Sequence, residues 1–269
     1  MSWLEAMILG TVQGITEFLP VSSSAHLVIV QQLMGVSGDV LTFDAIIHFG
    51  SLLAVIWVYR GELLLIVRSL FASGGTEETR QGRRLLLMLI GATLPVVIVG
   101  FTLRDAVAEA FSSVYVSCLM LVVTGILLWV ADARRGAGGD PDPGWRHVWW
   151  MGVAQALAVF PGLSRSGVTI GTGVLTGMTK EAAARFSFLM SIPTLAGATL
   201  LELETLLSSS GEGAIDPSVV VVGAAAAAVT SYAAINVLLR FLRAGSLRPF
   251  AYYTWCLAAV VLVISIGSV

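Results

Sequence analysis

Charge is what this chain has least of. Only 12% of its 269 residues are Asp, Glu, Lys or Arg, about half the roughly 25% usual in soluble domains, and that shortfall excludes an ordinary water-solvated globule. Cysteine is scarce too. Cys118 and Cys256 each stand in an apolar run without a CxxC partner, so neither a disulfide framework nor a structural zinc site is expected, and both read as small core residues. The N-terminal run 1–9 has no basic segment before it and no small-residue cleavage site after it, so no removable signal peptide is expected. The hydrophilic stretches 73–84, 136–146 and 208–217 are too short to fold as soluble domains. With a net charge of −2 and no basic cluster, a nucleic-acid partner is excluded as well. The spaced glycines at 91–100 and 171–177 follow no strand and precede no GK[ST], so they are helix-packing positions and not a nucleotide loop.

What the chain has is apolar sequence, 57% of it by residue, with a mean hydropathy of +0.89. Apolar segments fall near 2–19, 22–34, 41–59, 85–103, 114–131, 148–160, 166–177, 186–203, 217–242 and 250–268. Crossing a bilayer takes about 20 residues of helix, and the segments at 41–59, 85–103, 114–131, 186–203, 217–242 and 250–268 meet that length. The regions 2–34 and 148–177 are each two shorter arms, broken by Pro20-Val21-Ser22-Ser23-Ser24 and by Pro161-Gly162-Leu163-Ser164-Arg165-Ser166. Proline removes a backbone donor and stops a helix. A break at membrane depth persists only where the freed backbone groups are buried in protein or line a wet cavity, so each region reads as a hairpin that dips in and returns.

Charge parity supports that reading. With the N-terminus outside and both hairpins returning to their own side, 13 of the 15 Lys and Arg fall inside, leaving Arg104 outside and Arg165 in a hairpin tip. This is the asymmetry of the positive-inside rule, and turning either hairpin into a single span would scatter it. The expected fold is therefore an all-α integral membrane protein with six transmembrane helices plus two oppositely inserted re-entrant helix–loop–helix hairpins. It forms a single polytopic domain over 1–269 with both termini outside. The hairpins span roughly 2–34 and 148–177, and they resemble each other: both run from a glutamine (Gln13, Gln155) through phenylalanine and proline to a serine cluster. The halves, roughly 1–131 and 145–269, then form an inverted-topology repeat, an architecture that places binding sites near the midplane at broken helices. The polyalanine run 224–228 suits close helix approach.

The polar residues inside this apolar frame gather at the tips. Glu17 lies on an apolar arm, where a lone carboxylate costs about 3 kcal/mol, so it needs a partner. Gln13, one turn earlier, shares its helical face, His26 opens the returning arm, and Arg165 sits in the other tip. With the hydroxyls of Ser22, Ser23, Ser24, Ser164, Ser166 and Thr169, these groups make an anion site with acid–base capacity: a guanidinium fork and helix-start amides suit phosphate oxygens. A plain ion pair with capping serines explains neither His26 nor so many hydroxyls. His48 follows Asp44 by one turn and reads as a packing histidine. His147 among Trp145, Trp149 and Trp150 reads as part of an interfacial belt.

The stretch Glu17–His26, E-F-L-P-V-S-S-S-A-H, and the stretch Pro161–Thr169, P-G-L-S-R-S-G-V-T, resemble the two signature motifs of the undecaprenyl-diphosphate phosphatase family, the bacitracin-resistance type. The likeness extends over essentially the whole chain, including T-F-D-A-I-I-H-F-G-S at Thr42–Ser51. It implies a membrane hydrolase that releases the terminal phosphate of undecaprenyl diphosphate and so recycles the lipid carrier of cell-wall synthesis. It also implies the bacterial inner membrane and a site open to the outer, periplasmic face. By the same resemblance Glu17, His26, Ser22, Ser23 and Arg165 are catalytic. Ser164, Arg165, Ser166, Thr169, Gln13 and Ser24 hold substrate. Gln13 stands where members carry Glu or Gln, which removes one carboxylate from any two-acid metal clamp. A divalent cation, Mg²⁺ or Ca²⁺, is expected at Glu17, with Asp44 as a lesser candidate ligand, and no organic cofactor. Partners are the polyprenyl diphosphate and membrane lipids, and a homodimer is compatible with this reading. The nucleophile stays open among Ser22 or Ser23 with His26 as base, His26 itself, and water activated by Glu17. The alternative class is a secondary transporter or flippase for a lipid phosphate or other anion, since inverted repeats and broken helices serve that purpose too.

Overall fold

The computed structural model describes residues 1–36, 40–111, 113–134, 139–208 and 216–267. Arg135, the side chain of Arg104 and parts of the stretches 136–146 and 208–217 lie outside what is described. The described residues form α-helices and one isolated bridge, Asp140 to Met178. In chain order the helices are α1 (Trp3–Phe18), α2 (Ser23–Met34), α3 (Val40–Val58), α4 (Arg60–Phe71), α5 (Glu77–Thr102), α6 (Arg104–Phe111), α7 (Val114–Ala133), α8 (Trp145–Leu157), α9 (Arg165–Thr176), α10 (Lys180–Ser208), α11 (Pro217–Ala244) and α12 (Arg248–Gly267). Five of them, α5, α7, α10, α11 and α12, are long and apolar enough to cross a membrane, and there are six if the bent pair α3–α4, with 74° between its parts, is one broken span. The helices α4 and α6 were not expected from the apolar pattern. They are short; the exposed face of α4 mixes charge with Leu64, Leu70 and Phe71, and α6, with the sequence RDAVAEAF, carries no continuous apolar run.

Local chemistry sets the helix ends. Ser2 and Glu5 close a reciprocal capping box on α1. Pro20 ends α1 by forcing Leu19 into extended backbone (φ −68°, ψ 143°). The arm α9 starts at Ser164, whose hydroxyl accepts from the Gly167 amide at 3.1 Å, and stops at Gly177 in the left-handed region. At 16, 12, 13 and 12 residues, the arms α1, α2, α8 and α9 are shorter than a bilayer requires.

Small residues bring the first arm against the far end of the chain. A Cβ on Gly10 would lie 2.2 Å from the Gly223 carbonyl oxygen, and one on Gly50 2.3 Å from that of Ala224. The alanine run of α11 thus forms the flat face on which α1 and α3 sit, as expected where lipid gives helices no hydrophobic reason to associate and close packing must do so. Likewise α8 packs on α5, α3 meets α10 and α7 meets α12, so these contacts also run across the halves. Cys118 is buried, but Cys256 is exposed on α12: it faces outward from the bundle, where sequence had suggested core.

Charged side chains collect at one end. Asp132, fully buried at the end of α7, accepts from Lys180 Nζ, from the Ser246 hydroxyl at 2.6 Å and from the Leu247 amide at 2.9 Å, and it faces Arg248 Nε at 3.3 Å. Arg185 pairs with Glu62 and Arg243 with Glu181. These contacts place the end of α7, the starts of α4, α10 and α12 and the end of α11 together. Asp140, before α8, exchanges backbone hydrogen bonds with Gly177 and Thr179, after α9. Trp3, at the start of α1, donates to Ser218 at the start of α11 (2.8 Å).

Candidate active site

Glu17 organises the site because burial leaves its charge no water to rely on: the residue is 8% exposed. Its Oε1 takes the Arg165 guanidinium in a buried ion pair that joins the two tips. Its Oε2 accepts from the Ser23 hydroxyl at 2.7 Å and from Gln13 Nε2 at 3.0 Å, and His48 Nε2 stands 3.8 Å away. The Ser166 hydroxyl adds a second link between the tips by donating to the Leu19 carbonyl at 2.8 Å. A cavity of about 330 Å³ opens here, lined among others by Glu17, Ser22, Ser23, Ser24, His48, Gln155, Ser164 and Arg165.

The polar groups facing this cavity are only partly used. Among the described residues the buried Arg165 Nη1, a donor, has no partner, and the same holds for the acceptor Oε1 of Gln155. A buried polar group left unpaired costs about 1–3 kcal/mol, which a bound oxyanion on the guanidinium recovers. The N-cap of α2, Ser22, makes no side-chain cap, so the first-turn amides of that helix stay available to an anion. Ser22 is also the one non-glycine residue at positive φ (69°) among the described residues. Such backbone costs about 1–3 kcal/mol and persists only where its surroundings impose it.

Other expected residues have different contacts, and of these only Ser24 and Ser164 line the cavity. His26 turns from the cavity: Nδ1 lies 2.7 Å from the Ser22 carbonyl oxygen, so that nitrogen donates, and Nε2 accepts from the Tyr253 hydroxyl at 2.6 Å, with the two rings parallel. Thr169 is fully buried, donating to the Arg165 carbonyl (2.7 Å) and sharing a hydrogen bond with Ser187 (2.6 Å), so it braces the first turn of α9. Ser24 pairs with Ser22 at 3.2 Å and Ser164 with Ser166 at 3.2 Å. Asp44 accepts from Gln31 at 2.7 Å.

The sequence did not single out His48 or Gln155 for this cavity. His48 Nδ1 lies 2.6 Å from the Asp44 carbonyl oxygen, which fixes the proton on that nitrogen and points Nε2 at Glu17. The signal was present in the pairing of a histidine with the helix that follows the first tip, but only the rotation of α3 decides which face it presents. His147 caps α8, its Nδ1 accepting from the Gly144 amide at 2.9 Å, while its Trp neighbours are exposed.

For a divalent cation the fit is partial. Among the described residues no group of three His, Cys, Asp or Glu side chains could hold a metal. Glu17 and His48 line the cavity and supply a carboxylate and an imidazole, whereas Gln13 is fully buried and does not line it. A single carboxylate fits an ion such as Mg²⁺ where substrate phosphates and water complete its shell.

Comparison with known proteins places the whole chain in one family. The family model described as "Bacitracin resistance protein BacA" matches residues 6–260. A protein named undecaprenyl-diphosphatase from Carboxydothermus hydrogenoformans is 36% identical over 266 residues, 98% of this chain and 98% of that one. Another of the same name, from Alkaliphilus metalliredigens, is 37% identical over 275 residues, 99% of this chain and all of the other. With both tips inside the matched region, this chain belongs to the bacitracin resistance protein BacA family.

Proposed function

We propose that this protein is an integral-membrane phosphatase that hydrolyses undecaprenyl diphosphate to undecaprenyl phosphate and inorganic phosphate, the reaction that underlies bacitracin resistance in its family. The observation that carries the reading is the chain Ser23–Glu17–Arg165, in which a hydroxyl, a carboxylate and a guanidinium from two separate tips meet on one cavity. The terminal phosphate sits against Arg165 Nη1 and the first amides of α2. Ser23 Oγ attacks its phosphorus while its proton passes to Glu17 Oε2, the bond to the bridging oxygen breaks, and undecaprenyl phosphate leaves. Water then attacks the phosphoserine and inorganic phosphate departs, restoring the hydroxyl. Arg165 and the α2 amides are fixed before reaction, so they stabilise charge on the transferring group without reorganising.

Ser23 is favoured over Ser22 because its hydroxyl already donates to the carboxylate. His26, held by Tyr253, acts here by fixing the Ser22 carbonyl and so the strained tip. A divalent cation at Glu17, beside His48, would neutralise phosphate charge when bound.

The two hairpins are proposed to be re-entrant from opposite leaflets and the halves to be related by inverted topology, in the inner membrane with both termini and the cavity mouth outside. Supporting this are the return of α9 to the Asp140 end of α8, the meeting of α1 and α11 starts at Trp3 and Ser218, and the gathering of Lys and Arg at the opposite end. The test is phosphate release by purified protein from undecaprenyl diphosphate, with and without chelator. Anion flux across liposomes without phosphate release would favour a transporter instead.

A further inference from the structure

A second cleft lies beside the first and has a different chemistry. It encloses about 170 Å³ between α2, α7, α12 and the second tip, and its walls include Ala25, Val28, Leu33, Leu121, Val261 and Ile264. The floor is made of small groups. Gly162 presses so close to α7 that an added Cβ would lie 2.3 Å from the Ser117 carbonyl oxygen, and Ala25 packs with Leu121 and Ala258 beneath the opening. The rims face outward, with Val28, Leu33, Val114 and Ile264 all exposed. Two residues, Ser24 and Pro161, line both this cleft and the phosphate cavity, so the two adjoin at the tips.

Helices α2 and α12 meet at His26 and Tyr253, and the cleft lies beyond that contact, toward the C-terminal ends of both. From Ser24 to Leu33 its wall runs about 14 Å along α2. An apolar, lipid-facing channel that joins a cavity for anions fits a ligand with a charged head and a long hydrocarbon chain. We propose that this cleft holds the proximal isoprene units of the substrate's polyprenyl chain, so that the tail leaves the tip cavity sideways between α2 and α12 while the diphosphate stays at Glu17 and Arg165. The proposal rests on the phosphatase reading and adds to it the path of the tail and the residues that set chain-length preference.

The experiment compares phosphate release from undecaprenyl diphosphate and from dimethylallyl diphosphate, whose single isoprene unit is too short to fill the cleft. It uses the wild-type protein and the double variant Val28→Trp, Ile264→Trp. Both positions are exposed rims, so indole rings there narrow the cleft without entering the core. The ratio of kcat/KM for the long chain over the short is expected to fall at least tenfold in the variant. An unchanged ratio would overturn the proposal, whereas a wild-type protein that releases phosphate from neither substrate would overturn the phosphatase reading itself. A second measurement needs no variant: wild-type protein is irradiated with a polyprenyl phosphate carrying a diazirine on its second isoprene unit. Adducts on 28–33 of α2, 114–121 of α7 and 261–265 of α12, competed by unlabelled polyprenyl phosphate, are expected. Adducts on other helices, or adducts in the cleft that unlabelled polyprenyl phosphate does not compete while bulk phospholipid does, would count against it.

Discussion

Removing Arg165 should damage stability and catalysis by separable amounts, and the ion pair with Glu17 allows both to be worked out. In the Arg165→Met variant Glu17 keeps the Ser23 and Gln13 donors, but a carboxylate only 8% exposed loses its cation. Breaking a buried pair from one side costs about 3–5 kcal/mol. Glu17→Gln leaves the guanidinium unpaired, with a loss of the same order. Replacing both, Glu17→Gln with Arg165→Met, removes the charge problem, and such double replacements are often close to neutral. The double-mutant cycle should therefore show a coupling of about 3 kcal/mol or more in thermal or denaturant unfolding of the detergent-solubilised protein. Catalysis should not recover with stability. Arginines that stabilise a transferring phosphoryl group contribute about 10³–10⁵ in kcat, so both Arg165→Met and the double variant should release phosphate at least about 10³-fold more slowly. A coupling below about 0.5 kcal/mol would refute the buried pair, and turnover within tenfold of wild type in Arg165→Met would refute its role in phosphoryl transfer.

Ser23→Ala should abolish both turnover and any trapped phosphoserine, whereas Ser22→Ala should leave the trapped intermediate intact; acid-quenched labelling with radioactive substrate reads both. Ser22→Gly removes the penalty of a non-glycine residue at φ 69° and should raise stability by about 1 kcal/mol, seen as a higher unfolding midpoint, with slower turnover as the tip loosens. His48→Leu takes away the imidazole beside Glu17 and should lower kcat about tenfold or more, while Tyr253→Phe, which removes the hydroxyl that bonds His26, should cost less in the same assay. Asp132→Ala strips a buried acceptor from Lys180, Ser246 and the Leu247 amide and should destabilise the protein by about 3 kcal/mol or more. Because that cluster joins α7, α10 and the α11–α12 turn away from the cavity, the folded fraction should retain its KM.

The membrane class, the proline-broken arms and the need of Glu17 for a partner follow from sequence alone. A carboxylate in an apolar helix must find a cation, and Arg165 is the one basic residue outside the loops and span ends. Sequence also determines where α1 and α9 begin, because a capping serine acts within one turn of its own position. Which hydroxyl meets Glu17 is not a local property: Ser22, Ser23 and Ser24 are adjacent, and only the positive φ of Ser22 and the seat of α2 against α1 turn Ser23 toward the carboxylate. The same holds for the two histidines. His26 lies in the motif yet turns to Tyr253, 227 residues away, and His48 lies outside it yet faces Glu17, because a helix's rotation about its axis depends on what it packs against. The apolar cleft, likewise, arises from three helices far apart in the chain, and close packing, which has no signature in any one segment, sets how nearly they approach.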